Sequence, residues 1–137
     1  MVKKGYRIGL VVSEYNFDIT MMMMERARAH AEFLGCEITK VVKVPGVFDI
    51  PFALNRVLME DGVDGCVAIG AVIEGETDHD EVVIQHAARK VMDIALERNK
   101  PIGLGISGPG MSRSQAQARI ENARSAVEAV VKLLDNT

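Results

Sequence analysis

A histidine lies among carboxylates in the segment from residue 70 to residue 83, GAVIEGETDHDEVV. His79 occurs where an apolar run gives way to a helical pattern, together with five acidic residues: Glu74, Glu76, Asp78, Asp80 and Glu81. Because imidazole titrates near neutral pH, His79 is the best candidate in the sequence for transferring a proton. The same residue types also suit a divalent metal ion, or an acid-rich helix start favoured by the helix dipole. Catalysis, metal binding and a structural role therefore stay open.

A second loop sets an aromatic residue beside an acid. Residues 44–51, VPGVFDIP, follow another apolar run in the same way. Phe48 and Asp49 are candidates for binding a ligand, although Phe48 also suits the core and Asp49 also suits a helix cap. Tyr15, which follows the first apolar run, is likewise a candidate either for binding a ligand or for a structural role. Two polar loops that follow apolar runs in the same way indicate that both contribute to one cleft.

Two arginines near the end of the chain are candidates for binding a phosphate. Arg119 follows a Gly-Pro-Gly loop and lies one turn into the last predicted helix. A guanidinium group suits bidentate phosphate recognition, although exposed arginines are common. Arg124 is five residues further on and not on the same helical face, so a joint role would need a neighbouring element or subunit.

Two short patterns associated with nucleotide binding occur in the wrong context. Residues 103–108 match GxGxxG, but polar residues precede them and the glycines lie inside a short predicted strand. Residues 70–77 resemble a phosphate loop in which Glu76 stands at the lysine position, where a carboxylate would repel a γ-phosphate. Backbone amides near Thr77 still suit a smaller phosphate at a helix start. We expect neither a nicotinamide or flavin site nor nucleotide hydrolysis.

Apolar runs alternate with helical patterns along the whole chain. The runs predict strands at 7–13, 37–44, 65–73 and 102–107, and helical patterns follow at 18–34, 50–60, 80–98 and 115–134. Asp18 and Asp49 are placed as N-caps. The alternation predicts a four-stranded parallel sheet in a doubly wound, flavodoxin-like three-layer α/β/α sandwich. Ligands bind beyond the carboxyl ends of such strands, so the polar loops should converge on one edge.

Composition narrows the class of protein. A chain of 137 residues with 48% hydrophobic and 26% charged residues fits one domain spanning 1–137. The net charge of −3 and the scattered aromatic residues disfavour nucleic-acid binding. Cys36 and Cys66 form no CxxC pair, so we expect two buried thiols in a reducing compartment. No secretory signal or membrane span is recognised, and we expect a cytoplasmic protein.

Four segments together resemble a known family. VVSEYN, VPGVFDIP, GAVIEGETDHDEVV and GISGPGMSRSQAQAR are similar to the successive signatures of the 6,7-dimethyl-8-ribityllumazine synthases, in their shorter archaeal form. The resemblance implies condensation of 5-amino-6-(D-ribitylamino)uracil with 3,4-dihydroxy-2-butanone 4-phosphate, the penultimate step of riboflavin biosynthesis. It also implies that neither a metal nor an organic cofactor takes part.

The resemblance implies roles for individual residues. His79 stands at the position of the family's general acid/base, and Tyr15 at that of an aromatic that stacks on the pyrimidine ring. Val47, Phe48 and Asp49 match the segment that contacts the ribityl chain, with Asp49 accepting hydroxyl hydrogen bonds where the family commonly has Glu. The phosphate site would include Glu76, Thr77 and Arg119. The remaining substrate positions are Val72, Ile73, Leu104 and Arg124.

The resemblance also implies self-association. Leu104 replaces an aromatic residue that some members contribute from a neighbouring subunit, and the family builds its site between adjacent subunits of a pentamer. Twelve pentamers often form a hollow icosahedral shell. Two other functions remain open: an archaeal riboflavin synthase paralogue of the same architecture, and a non-catalytic flavin- or lumazine-binding shell protein.

Overall fold

A four-stranded parallel sheet forms the centre of the computed structural model, which describes residues 4–75 and 79–137. The strands are β1 (Arg7–Ser13), β2 (Glu37–Val44), β3 (Gly65–Ile73) and β4 (Ile102–Met111). Their order across the sheet is β2-β1-β3-β4, and every neighbouring pair is parallel. The chain therefore leaves β1 toward one side of the sheet and leaves β3 toward the other.

Helices cover both faces of the sheet. They are α1 (Phe17–Phe33), α2 (Ile50–Leu58), α3 (Asp80–Arg98), α4 (Arg113–Ala118) and α5 (Asn122–Asn136). Helices α1 and α5 pack on one face and α2 and α3 on the other, each pair over its own cluster of buried side chains. The predicted three-layer α/β/α sandwich is confirmed.

Apolar side chains on both faces of the inner strands explain this layering. Along β1, Leu10 and Val12 are buried in the core under α1 and α5, whereas Val11 is buried under α2 and α3. Successive side chains of a strand point to opposite faces, so a strand buried on both sides must be apolar at every position. Across the described parts of the chain, we find no helix with the length and hydropathy needed to cross a bilayer.

The C-terminal elements differ from their predicted bounds. Strand β4 continues four residues past the predicted end at 107, because Met111 pairs with Ile73 beyond an irregularity in the β3–β4 register. The predicted helix at 115–134 is two helices separated by a turn at residues 119–121. Ser112 begins α4 by accepting a hydrogen bond from the Gln115 amide through its hydroxyl, 3.2 Å away. A Ser followed by Gln three residues later is a capping box, which the helical periodicity alone did not reveal.

Of the two predicted aspartate caps, Asp18 is wrong, whereas Asp49 occupies the predicted N-cap position of α2 without a capping hydrogen bond from its side chain. Helix α1 begins after Asn16, and Asp18 lies within its first turn. Asp49 precedes α2 but makes no side-chain bond to it, because it closes an unpredicted 3₁₀ turn, Val47–Asp49. Helix α1 is shifted one residue toward the N-terminus, and α2 ends at Leu58 rather than at residue 60.

The GxGxxG glycines serve packing rather than nucleotide binding. They lie in β4, where α5 crosses close to Gly103 and Gly105, while Gly108 lies against Val72 of β3 and Ile84 of α3. A Cβ atom on Gly103 would lie 2.2 Å from the carbonyl oxygen of Ala126. That neighbour is backbone and cannot rotate away, so only glycine allows α5 to approach at this point.

We predict that Gly103→Ala lowers the free energy of unfolding by about 3 kcal/mol, because overpacking here forces α5 away from the sheet. Chemical denaturation monitored by circular dichroism measures the change. Gly62→Ala is the matched control, since the nearest atom to its Cβ is the mobile guanidinium of Arg7 at 3.4 Å. Equal stability of the Gly103→Ala variant and the parent would contradict the packing argument.

Candidate functional site

A cavity of about 430 Å³ opens at the carboxyl ends of β1 and β3. These two strands are adjacent, and the chain departs from them in opposite directions, which leaves a crevice at the edge of the sheet. The cavity is lined by the loop after β1, the loop after β2, the end of β3 and the first turn of α3. The described lining residues are Tyr15, Pro45, Gly46, Val47, Phe48, Asp49, Ala71, Val72, Asp80 and Val83. Five of the predicted substrate-binding residues are among them: Tyr15, Val47, Phe48, Asp49 and Val72.

The 3₁₀ turn after β2 forms one wall. The Asp49 carboxylate accepts a hydrogen bond from the Gly46 amide at 3.0 Å, which holds the turn closed. Val47 is buried against β3, where a Cβ atom on Gly70 would lie 2.8 Å from its Cγ2 atom. Phe48, in contrast, is 74% exposed and is not a core residue. Because Val47 is held against β3, the next two residues, Phe48 and Asp49, lie at the cavity.

Tyr15 forms a second wall. The amide of Glu14 donates to the carbonyl of Val44 at 2.7 Å, and the amide of Tyr15 donates to the carbonyl of Pro45 at 3.1 Å. These bonds continue the pairing of β1 with β2 beyond the sheet. The Tyr15 side chain, 53% exposed, thus lines the same cavity as the Phe48 side chain.

The start of α3 brings the histidine close. Asp80 and Val83, one helical turn apart, line the cavity, and His79 directly precedes Asp80. The carbonyl of His79 accepts the amide of Val83 at 2.9 Å, but the imidazole does not cap the helix. His79 is exposed. The predicted phosphate contacts Glu76 and Thr77 lie outside the described residues.

Other predicted substrate residues do not line the cavity. The Ile73 side chain is buried in the core under α1 and α5, so it could meet a ligand at this edge only through its backbone. Leu104 lies in mid-strand on β4, opposite Ala68, and is 51% exposed. Arg119 is exposed at the C-terminal end of α4, and not one turn into a long final helix as predicted.

The two arginines differ in their charge environment. In the described part of the chain, Arg119 forms no ion pair. Arg124 lies in the first turn of α5 and pairs with Glu121, Nη1 to Oε2, at 3.3 Å. Glu121 also pairs with Arg26 at 2.8 Å, and the hydrogen bond from Arg26 lowers the pKa of Glu121. Arg119 is therefore the better placed of the two to bind an external anion.

Several cavity residues were not predicted: Pro45, Gly46, Ala71, Asp80 and Val83. Two of them adjoin the predicted Val47–Asp49 segment, and Asp80 and Val83 show the three-residue spacing of one helix face. Ala71 gave no signal, because a small residue in an apolar strand looks like any other core position.

The residues around the cavity suit a planar, hydrogen-bonding ligand. Two aromatic side chains and the aliphatic groups of Val47 and Val72 can pack against a ring, while Asp49 can accept hydrogen bonds from hydroxyl groups. Among residues 4–75 and 79–137, no three His, Cys, Asp or Glu side chains are grouped so that they could hold a metal ion.

Comparison with known proteins gives a consistent picture. A family model described as 6,7-dimethyl-8-ribityllumazine synthase matches residues 5–137. A protein of that name from Picrophilus torridus is 58% identical over 128 residues, which is 93% of this chain and 94% of the relative. Proteins of the same name from Methanothermobacter thermautotrophicus and Archaeoglobus fulgidus are 57% and 58% identical, over 95% and 93% of this chain and 94% and 90% of their own lengths.

Proposed function

The chain belongs to the 6,7-dimethyl-8-ribityllumazine synthase family, and from that premise we propose that the cavity between β1 and β3 is its substrate site. The observation that carries the proposal is the convergence of Tyr15, Val47, Phe48, Asp49 and Val72 on one cavity, with His79 next to one of its walls. These residues are separated along the chain, and the fold brings them together.

The protein is a transferase of riboflavin biosynthesis. It condenses 5-amino-6-(D-ribitylamino)uracil with 3,4-dihydroxy-2-butanone 4-phosphate, and the products are 6,7-dimethyl-8-ribityllumazine, phosphate and water. The family match and the names of the relatives favour this reaction over that of a riboflavin synthase paralogue or a binding-only shell protein.

The cavity supports a division of roles among its walls. The Tyr15 ring stacks on the pyrimidine, and Phe48 and Val47 contact the ribityl chain. Asp49 holds the Gly46 amide through Oδ2, which leaves Oδ1 to accept hydrogen bonds from ribityl hydroxyls. Holding both reactants in one apolar site supplies much of the acceleration, since a bimolecular encounter becomes an intramolecular step.

His79 moves protons in this scheme. Forming the imine, eliminating phosphate and closing the second ring each require a proton to be transferred, and the exposed imidazole beside Asp80 is placed to do so. The backbone amides of Glu76 and Thr77 and the guanidinium of Arg119 bind the phosphate. No organic cofactor or metal is needed for any of these steps.

We also propose that neighbouring copies complete each site. Leu104, Arg119 and Arg124 carry features suited to substrate contact, yet they lie away from the cavity of their own chain. Several large apolar side chains on α2, directly after α2, on α3 and on β4 are exposed: Phe52, Met59, Met92, Leu96 and Leu104. Exposed apolar groups of this number support an interface between copies.

The assembly we propose is a pentamer, with a shell of sixty copies as a further arrangement. The whole chain, 1–137, acts as one domain in this assembly, with both cores built on a single sheet. Two free, buried thiols, Cys36 and Cys66, support the cytoplasm as its compartment.

The reaction is tested by mixing the purified protein with the two substrates and following lumazine absorbance. We expect acceleration over the uncatalysed reaction that is unchanged by EDTA, because no proposed step uses a metal ion. Formation of riboflavin from the lumazine alone, with no product from the pyrimidine and butanone phosphate, would instead establish the paralogue.

We predict that His79→Ala slows turnover by about 10²- to 10⁴-fold, the usual contribution of a general acid or base. Lumazine affinity and oligomeric state should not change. The control is His86→Ala, since His86 is an exposed histidine within α3, seven residues after His79, and its replacement should retain full activity. An unchanged rate for His79→Ala would remove it from the mechanism.

Shared sites predict complementation between inactive variants. Tyr15→Ala and Arg119→Ala should each lose activity, and co-refolding them in equal amounts should restore about a quarter of the sites, because random neighbours then combine two intact halves. Tyr15→Ala mixed with His79→Ala is the control and should show no rescue, since both defects lie in the same half. If the first mixture shows no rescue, the proposal of a shared site fails. Arg119 and Tyr15 then act within the same subunit, or Arg119 takes no part in the site.

A further inference from the structure

A chain of side-chain hydrogen bonds joins three segments at the edge of the sheet that carries the cavity. The Asn16 side chain donates through Nδ2 to the carbonyl of Ala71, 3.0 Å away, at the end of β3. Its Oδ1 atom accepts from Nη2 of Arg113 at 3.1 Å. Arg113 also donates through Nη1 to the carboxylate of Asp18. Segments after β1, in β3 and after β4 are thereby connected.

The chemistry of these groups fixes how the Asn16 amide is turned. A guanidinium can only donate hydrogen bonds, and a backbone carbonyl can only accept them. With Arg113 on one side and the Ala71 carbonyl on the other, Oδ1 must face the arginine and the NH₂ group must face β3. The arginine therefore orients the amide that reaches β3.

The backbone of Asn16 adds a second constraint. Its φ of 61° and ψ of 44° lie in the left-handed region, which asparagine tolerates better than most residues. Its carbonyl accepts the amides of Ile19 and Thr20, both at 3.0 Å, and so begins α1. The backbone of Asn16 thus sets the direction of the chain next to Tyr15, and its side chain anchors the same loop to β3.

Two walls of the cavity meet at this link. Tyr15, next to Asn16, and Ala71, whose carbonyl Asn16 binds, both line the cavity. In the site proposed above, the pyrimidine ring lies between the Tyr15 ring and the end of β3. The amides of Glu14 and Tyr15 bind this loop to the segment at the end of β2, and the Asn16 side chain binds it to β3.

We propose that Asn16 and Arg113 are positioning residues for the pyrimidine substrate: Arg113 orients the Asn16 amide, and Asn16 holds Tyr15 at a fixed separation from β3. The proposal rests on the function proposed above for Tyr15. Neither residue contacts the substrate in this scheme, and their effect is on the affinity for the pyrimidine rather than on proton transfer.

Three variants separate the parts of this link. Asn16→Gly removes the side chain but keeps the left-handed backbone accessible. Asn16→Asp keeps the bond to Arg113 and loses the donor to Ala71. Arg113→Ala leaves the Asn16 NH₂ donor in place but removes the guanidinium that orients it. Lys40→Ala is the control. Lys40 forms an ion pair with Glu60 at 3.1 Å, and its side chain is 48% exposed, the same fraction as that of Arg113.

Steady-state kinetics with each substrate varied in turn give the readout. We expect each of the three variants to raise KM for the pyrimidine by about fivefold to tenfold, the effect of losing one hydrogen bond. KM for the butanone phosphate and kcat should change less than about twofold, as should every parameter of Lys40→Ala. A merely structural link would lower the melting temperature without this split between substrates.

A double-mutant cycle tests whether the two residues act as a unit. Adding Arg113→Ala to Asn16→Gly should raise KM for the pyrimidine no further, because the group that Arg113 orients is already absent. Additive effects would overturn the proposed order of action. Should Asn16→Gly fail to fold, the cycle is run with Asn16→Asp, in which Arg113→Ala should likewise add nothing.

Tyr15→Ala distinguishes failure of the proposed role of the cavity from failure of the positioning proposal alone. If it leaves KM for the pyrimidine unchanged, the role of the cavity fails and the positioning proposal fails with it. If Tyr15→Ala raises that KM while the Asn16 and Arg113 variants do not, the positioning proposal alone is overturned.

Discussion

Parallel pairing between β1 and β3 is the interaction on which the site depends. In this register Ile8 lies opposite Gly65 and Val12 opposite Ile69, so β3 continues past the level at which β1 ends at Ser13. Only then do the loop carrying Tyr15 and the strand end carrying Val72 face each other. A slip by one residue would exchange the two faces of a strand and place Leu10 where Val11 now packs. The apolar cores above and below the sheet therefore also fix the geometry of the cavity.

Most of the fold follows from patterns within short segments. Strands β1, β2 and β3 and helix α3 have the predicted bounds, because continuous apolar runs and helical periodicity are local signals. The end of β4 was missed since its pairing partner, Ile73, lies far away in sequence. The turn that splits the last helix was missed for a related reason: the periodicity of α5 continues smoothly back through residues that the Ser112 cap assigns to α4.

The site was predictable in part. Loops that follow strands identified Tyr15, Phe48 and Asp49, because parallel strands bring their carboxyl ends to one edge. The role of Asp49 in closing its own turn and the contact from Asn16 to Ala71 could not be predicted. In the latter case the two residues are 55 positions apart, and an asparagine after a strand indicates only a turn. Sequence spacing also could not show that Leu104 and Arg119 lie away from the cavity.

The cavity walls come from segments spread between residues 15 and 83, none of which encloses a ligand by itself. A ligand that occupies the cavity consequently has no binding site on the unfolded chain. Its binding free energy is added in full to the stability of the native state, by about 2.7 kcal/mol at a concentration of one hundred times Kd. The more of such a ligand is present, the smaller is the fraction of unfolded chain that proteases can cleave.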